Sequence, residues 1–277
     1  MRKTLRTCIA FIAVSISLGY WCCQIDQQAV AQEQADLAAP SRSVSKLTYE
    51  KAVWIFNHAI ETHYLHEHEE AADQVVIDGA EKCTVDADCS GFVSYLLSQE
   101  APKQYESIIA LQPKRDYPQA KSYVRFFQSL SSDAPTGGWL GVKSYRDLRR
   151  GDIIAWAKPP APEQAGKRRG NTGHVMIASG PAGTPETTNV DGQPVRFVPV
   201  AVIDCSSVNH FRPEVLPPQT NQDHRDGLGM GTVRLIVDDN DNVIGYWEGT
   251  YSNESQVAIH HPTYSDLIAF ARLERIQ

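Results

Sequence analysis

Apolar residues recur at helical spacing three times in the first half of the chain and at strand spacing after it. Val53, Phe56 and Ile60 mark a first helix, predicted to start at Thr48 with Glu50 in its first turn. Cys89, Phe92, Val93, Leu96 and Leu97 follow i, i+3, i+4, i+7, i+8 and predict a second helix from Cys89. Asp86 or Asp88 can cap it, and Pro102 falls just past its end. A third helix is expected from Pro118 to Leu130, with proline at a tolerated first-turn position. The stretch from Glu61 to Val85 is polar and reads as irregular.

After Gly137-Gly138 the period shortens to two. Strands are expected at Asp152–Ala157, His174–Ser179, Val195–Asp204, Thr232–Val237, Val243–Trp247 and Leu267–Leu273. Helices followed by a run of strands define an α+β domain. The Pro-, Lys-, Arg- and Gly-rich segment from Lys158 to Thr172 belongs at the surface.

The N-terminus changes the picture of the compartment. Arg2, Lys3 and Arg6 precede an apolar run from Cys8 to Tyr20, and Ala29-Val30-Ala31 supplies a small-x-small cleavage pattern. Residues 1–31 read as a signal peptide, 32–46 as a flexible lead-in, and 47–277 as one domain. A retained membrane anchor is the alternative; the run is short and interrupted for a span of about 20 residues. Bulky Tyr20 and Trp21 argue against lipid attachment at Cys22. Export to the cell envelope or beyond is the expectation, with no stable span left after cleavage.

Cleavage after Ala31 leaves 246 residues with 23 basic and 32 acidic side chains, net −9. That balance argues against a nucleic-acid partner. Cys83, Cys89 and Cys205 survive cleavage, an odd number that leaves at least one free thiol. A Cys83–Cys205 bridge is conceivable in an oxidising compartment.

Candidate chemistry centres on three positions. At the start of a helix, backbone N–H groups and the positive end of the dipole stabilise negative charge on the Cys89 sulfur, and the same donors suit an oxyanion. His174 opens one strand, and Asp204 closes the next long one. If those strands pair antiparallel, His174 meets Asp204, and the carboxylate orients the imidazole. Each residue also has a plainer role: small buried hydrophobe, satisfied core histidine, or turn-starting aspartate. Together and in this order they form a nucleophile, base and orienter for acyl transfer.

The local words resemble a family. Asp88-Cys89-Ser90-Gly91-Phe92-Val93 is similar to the nucleophile motif of NlpC/P60 papain-like cysteine peptidases, and Gly173-His174-Val175-Met176-Ile177 to its histidine strand. Arg150-Gly151-Asp152-Ile153-Ile154 resembles its strand entry, and Val202-Ile203-Asp204-Cys205-Ser206 falls where it places a third polar residue. The resemblance covers Thr48 to Asp204. It implies a papain-like fold, with N-terminal helices packed on an antiparallel sheet. It also implies hydrolysis of amide bonds in peptidoglycan stem peptides, with Asp88 and Ser90 beside the nucleophile as substrate contacts. The family's upstream tyrosine has its nearest counterpart in Tyr64, 25 residues before Cys89 and without the usual glycines. Asp204 replaces the more common His, Asn or Gln. Such chemistry needs no metal or organic cofactor. A transglutaminase-like acyl transferase and an idle wall-binding module are the alternatives.

Other signals carry plainer readings. His58, His63, His66 and His68 crowd a Glu-rich stretch without an H-E-x-x-H pattern, and read as a solvated helix end. Asp238-Asp239-Asn240-Asp241-Asn242 lacks the turn glycine of a calcium loop and reads as a hairpin turn. The Gly227–Gly231 run precedes a strand rather than a helix, so it is no phosphate loop. His210, Arg212, His224 and Arg225 are expected as a polar rim. The oligomeric state stays open.

Overall fold

A computed structural model describes residues 43–65, 74–78, 82–112, 117–158, 173–190, 192–207, 226–248, 257–258 and 267–275. The signal-peptide and lead-in assignments up to residue 42 and the polar rim lie outside them, as does the 158–172 segment apart from Lys158. Among the described residues no helix is long and apolar enough to cross a membrane.

Helix α1 spans Val44–His58. It starts four residues before the expected Thr48 because Ser43 supplies a cap, its hydroxyl oxygen accepting the Lys46 N–H at 3.2 Å. Residues 44–46 are thus the first turn of this helix. Thr48, Ala52, Ile55 and Phe56 form its buried stripe. Helix α2, Cys89–Glu100, buries Phe92, Val93, Leu96 and Leu97 completely, in the periodicity that predicted it. Pro102 does more than end α2: it occupies the first turn of α3, Pro102–Ile109, where its missing N–H costs nothing. Helix α4, Ala120–Gln128, buries Tyr123, Val124 and Phe127.

The stretch expected to be irregular instead holds a small sheet. Strands β1 (Ala59–Tyr64), β2 (Gln74–Asp78) and β3 (Lys82–Ala87) lie in the order β1-β3-β2, with β1 parallel and β2 antiparallel to β3. His63 therefore sits on a strand, exposed and bonded to Glu61 at 2.9 Å. The helix end expected for it is therefore a strand. His58 instead stacks on Trp54 at 4.4 Å.

The remaining strands are β4 (Trp139–Val142), β5 (Ile153–Ala157), β6 (Gly173–Ala178), β7 (Glu186–Val190), β8 (Gln193–Ser206), β9 (Gly227–Val237), β10 (Val243–Glu248), β11 (Val257–Ala258) and β12 (Ile268–Leu273). They form one antiparallel sheet in the order β11-β10-β9-β8-β6-β5-β12-β4, with β7 paired to β8. The Gly-rich run is part of β9 itself. Asp238 makes the β9–β10 turn, its carboxylate accepting the N–H groups of Asn240 and Asn242 at 2.9 and 2.8 Å.

Strand alternation splits the core in two. Ile153, Ala155, Val175, Ile177, Ile203 and Cys205 face α1, α2 and α4. Ile154, Trp156, Met176, Ala178, Val200 and Val202 face the other way and pack on one another. The sheet curls around this second core. Trp156 on β5 stacks at 4.1 Å on Tyr246 of β10, four strands away in the order. Tyr145 and Arg146, just after β4, both bond Asp241 in the β9–β10 turn, which also pairs with Arg196. The fold is thus α+β, with four helices among the described residues and a large antiparallel sheet.

Candidate active site

Asp88 positions the start of α2. Its carboxylate accepts the Gly91 N–H at 2.7 Å and the Ser90 hydroxyl at 2.9 Å, and the Tyr117 hydroxyl donates to its other oxygen at 3.2 Å. Phe92 N–H bonds the Asp88 carbonyl. The N–H groups of Cys89 and Ser90 are thus the open donors of the first turn. Asp88 and Ser90, expected as substrate contacts, are almost fully buried; the Asp88 carboxylate caps the helix through the Gly91 N–H and accepts the Ser90 hydroxyl.

Cys89, the first residue of α2, has only 4% of its surface exposed. His174 comes to it from the start of β6. That strand pairs antiparallel with β8 at Ile177↔Ile203 and Ala178↔Val202. Continued, this register sets Asp204 across from Met176, two residues along the same face from His174. His174 Nε2 accordingly hydrogen-bonds an Asp204 carboxylate oxygen. Cys89 lies close enough to act on the imidazole through its charge and its side chain. With Nε2 facing the carboxylate, Nδ1 is the ring nitrogen left for the sulfur. All three expected catalytic residues meet, and the pairing rule that joined His174 to Asp204 is the reason.

Electrostatics favour a proton on the ring. Burial alone would push the imidazole down. The charges of Cys89 and Asp204, with the hydrogen bond to Asp204, outweigh it and hold His174 well above its ordinary value.

Gly173 makes this approach possible. Its φ of +141° lies in the region L side chains rarely adopt, and a Cβ there would overlap the Trp156 carbonyl. Gly173→Ala is expected to cost about 2–3 kcal/mol in denaturant unfolding. It should also cut turnover at least about 100-fold, because the imidazole next door is displaced.

Tyr64 comes closer than its sequence distance suggests. The parallel β1–β3 register sets it opposite Ala87, two residues before Cys89, half-buried against the helix-side core. The conceivable Cys83–Cys205 bridge is absent. Both thiols are free and buried: Cys83 donates to the Ile55 carbonyl at 3.4 Å and Cys205 to the Ala87 carbonyl at 2.9 Å. Burial, reinforced by the charges of Asp204 and Cys89, pushes the Cys205 thiol well up, so it stays a protonated donor. Strand β8 therefore aims Asp204 at the imidazole from one face and ties down the segment before Cys89 from the other.

Sequence reasoning missed Tyr117, which follows no periodicity, and the tethering role of Cys205. Among the described residues no group of three or more His, Cys, Asp or Glu side chains is placed to hold a metal ion. Set against models of known families, curated proteins and solved structures, the chain matches none.

Proposed function

We propose that the protein is an exported cysteine hydrolase with a papain-like fold of the NlpC/P60 type, cleaving amide bonds in peptidoglycan stem peptides. One observation carries the reading: an imidazole bonded to a buried carboxylate and set beside a thiol at a helix N-terminus. Covalent acyl transfer needs that constellation. The sequence words around Cys89 and His174 supply the family and the substrate class.

In the mechanism, the Cys89 thiol passes its proton to His174, and the sulfur attacks the amide carbonyl and forms a C–S bond. Negative charge moves to the carbonyl oxygen, toward the N–H groups of Cys89 and Ser90. Collapse of the tetrahedral intermediate breaks the C–N bond. The His174 imidazolium gives its proton to the leaving amine. The neutral imidazole then takes a proton from water, whose oxygen attacks the thioester carbonyl. The C–S bond breaks, the acid is released, and the sulfur leaves as thiolate beside the imidazolium that now holds the proton. Asp204 holds the ring in orientation throughout.

Mass spectrometry of purified muropeptides incubated with the full chain tests the reading. Loss of a peptide fragment, with a transient acyl adduct on the Cys89 peptide, is the expected result. Intact muropeptides would defeat it, and transfer to added amines in place of hydrolysis would make the enzyme an acyl transferase. Asp204→Asn is expected to lower kcat about 100- to 1,000-fold with little change in KM, because the carboxylate acts through the base. A change in KM alone would move Asp204 into substrate binding.

A further inference from the structure

Asp88 offers α2 more acceptor than a cap requires. It stands at the N-cap, and Cys89, Ser90 and Gly91 are the first three residues of the helix. A cap oxygen takes the N–H of the second or third helical residue. Oδ1 takes the third, the Gly91 N–H, at 2.7 Å, together with the Ser90 hydroxyl at 2.9 Å. Oδ2 belongs to the same buried carboxylate, and the backbone donor within natural reach of a second cap oxygen is the Ser90 N–H. In the structure Oδ2 accepts the Tyr117 hydroxyl instead, at 3.2 Å.

The chain around Tyr117 is fixed independently of that bond. Pro118 follows it and keeps its backbone out of the helical region. Gln119, the buried N-cap residue of α4, gives its N–H to the Gln112 side-chain carbonyl at 2.7 Å. The hydroxyl is thus delivered to Asp88 from 29 residues away by a braced segment.

Competition for the Ser90 N–H has a chemical consequence. When the sulfur adds to a carbonyl, negative charge develops toward the open N–H groups of Cys89 and Ser90. A carboxylate oxygen on the Ser90 N–H would occupy one of those donors and set a negative charge where the oxyanion forms. Capping by itself favours that bond, because it satisfies one more orphan donor of the helix. A hydroxyl that holds Oδ2 elsewhere gives up that gain and leaves the donor available.

We propose that Tyr117 is a positioning residue for the oxyanion site: by holding the second Asp88 oxygen, it keeps the Ser90 N–H open for the carbonyl oxygen of the substrate. The inference rests on the amide-hydrolase reading above and gives Tyr117 no contact with substrate. Because Tyr117 acts through Asp88, its effect should vanish when the cap has one oxygen only. Asp88→Ser supplies such a cap, whose hydroxyl accepts the Gly91 N–H and leaves no second acceptor.

Amide NMR of the full chain, read beside steady-state turnover of muropeptides, tests this. In Tyr117→Phe the Ser90 amide proton should move downfield and exchange with solvent more slowly, because Oδ2 now accepts it. The same variant should lose at least about tenfold in kcat with little change in KM, as befits a donor used in the transition state. In Asp88→Ser the Ser90 amide should be open, and adding Tyr117→Phe should alter neither its signal nor kcat further. An unmoved Ser90 amide in Tyr117→Phe, a change in KM alone, or losses that add in the double variant would each overturn the proposal. An unmoved Ser90 amide in an enzyme that turns over muropeptides removes this inference alone. A Ser90 amide that responds as expected, in a protein inert toward muropeptides, removes only the hydrolase reading.

Discussion

Cys89→Ala protein is expected to release product from muropeptides at least about 10⁴-fold more slowly than wild type, with its cooperative unfolding retained. The sulfur forms the bond that is broken again at the thioester stage, and no other side chain of the site can replace it. Cys83 and Cys205 hold their thiols against backbone carbonyls elsewhere. The fold survives because the substitution removes one sulfur at a helix end whose cap is made by Asp88, Ser90 and Gly91. Unchanged turnover in the variant would refute the nucleophile.

The same variant carries a titration signature. Charge on Cys89 helps raise His174, so removing the sulfur should lower the imidazole pKa, as read by NMR. The stability consequence has a definite sign. A histidine whose folded pKa lies above its unfolded value stabilises the native state fully below about pH 6.5, and that contribution fades as pH rises through the folded value. Denaturant titrations should therefore show wild type losing this contribution at higher pH than Cys89→Ala. Identical imidazole titrations in the two proteins would mean that the sulfur and the ring do not interact.

Both halves of the Cys89–His174–Asp204 cluster were legible in the sequence for physical reasons. Phe92, Val93, Leu96 and Leu97 repeat on one side of α2 because that side is completely buried, and Asp88 announces the cap. His174 and Asp204 could be joined because alternation ties each to a face and antiparallel pairing joins strand start to strand end. What stayed hidden lacks such a contrast. Strand β2 leaves Val76 and Ile77 exposed, and β7 is largely polar, so neither shows an apolar stripe. Helix α3 is only eight residues long, and its initiating proline looked like a stop. The cap bond from Tyr117 and the Cys205 tether join residues 29 and 118 positions apart, distances that no local pattern encodes. Tyr64 is the clearest case: only the parallel β1–β3 pairing shows that 25 residues of chain return to the nucleophile.

Arg272→Met is expected to destabilise the domain by about 3–5 kcal/mol at neutral pH, a drop in Tm of roughly 6–20 °C. Asp152 at the head of β5 is completely buried. Its carboxylate takes two parallel bonds from Arg272 of β12, at 2.8 and 2.7 Å, and the Arg149 N–H at 2.8 Å. Arg272 also donates to the Asp147 carbonyl at 2.7 Å, so one guanidinium fastens β12 to the turn that enters β5. Burial pushes the Asp152 carboxyl up more strongly than these partners hold it down. Without Arg272 the main lowering influence is gone, and the carboxyl rises further. An acid raised in the folded state loses stability as pH climbs from its unfolded value through its folded one, so the cost of the variant should shrink toward pH 4. Asp152→Asn in the same background should recover part of the loss at pH 7, because it removes the unpaired charge while keeping a hydrogen-bonding group. Turnover should fall as well. Strand β5 is the direct partner of β6, with Trp156 opposite His174, so loosening its entry shifts the imidazole from the sulfur. A pH-independent loss below about 1 kcal/mol would show that the pair is solvated and holds neither strand nor site.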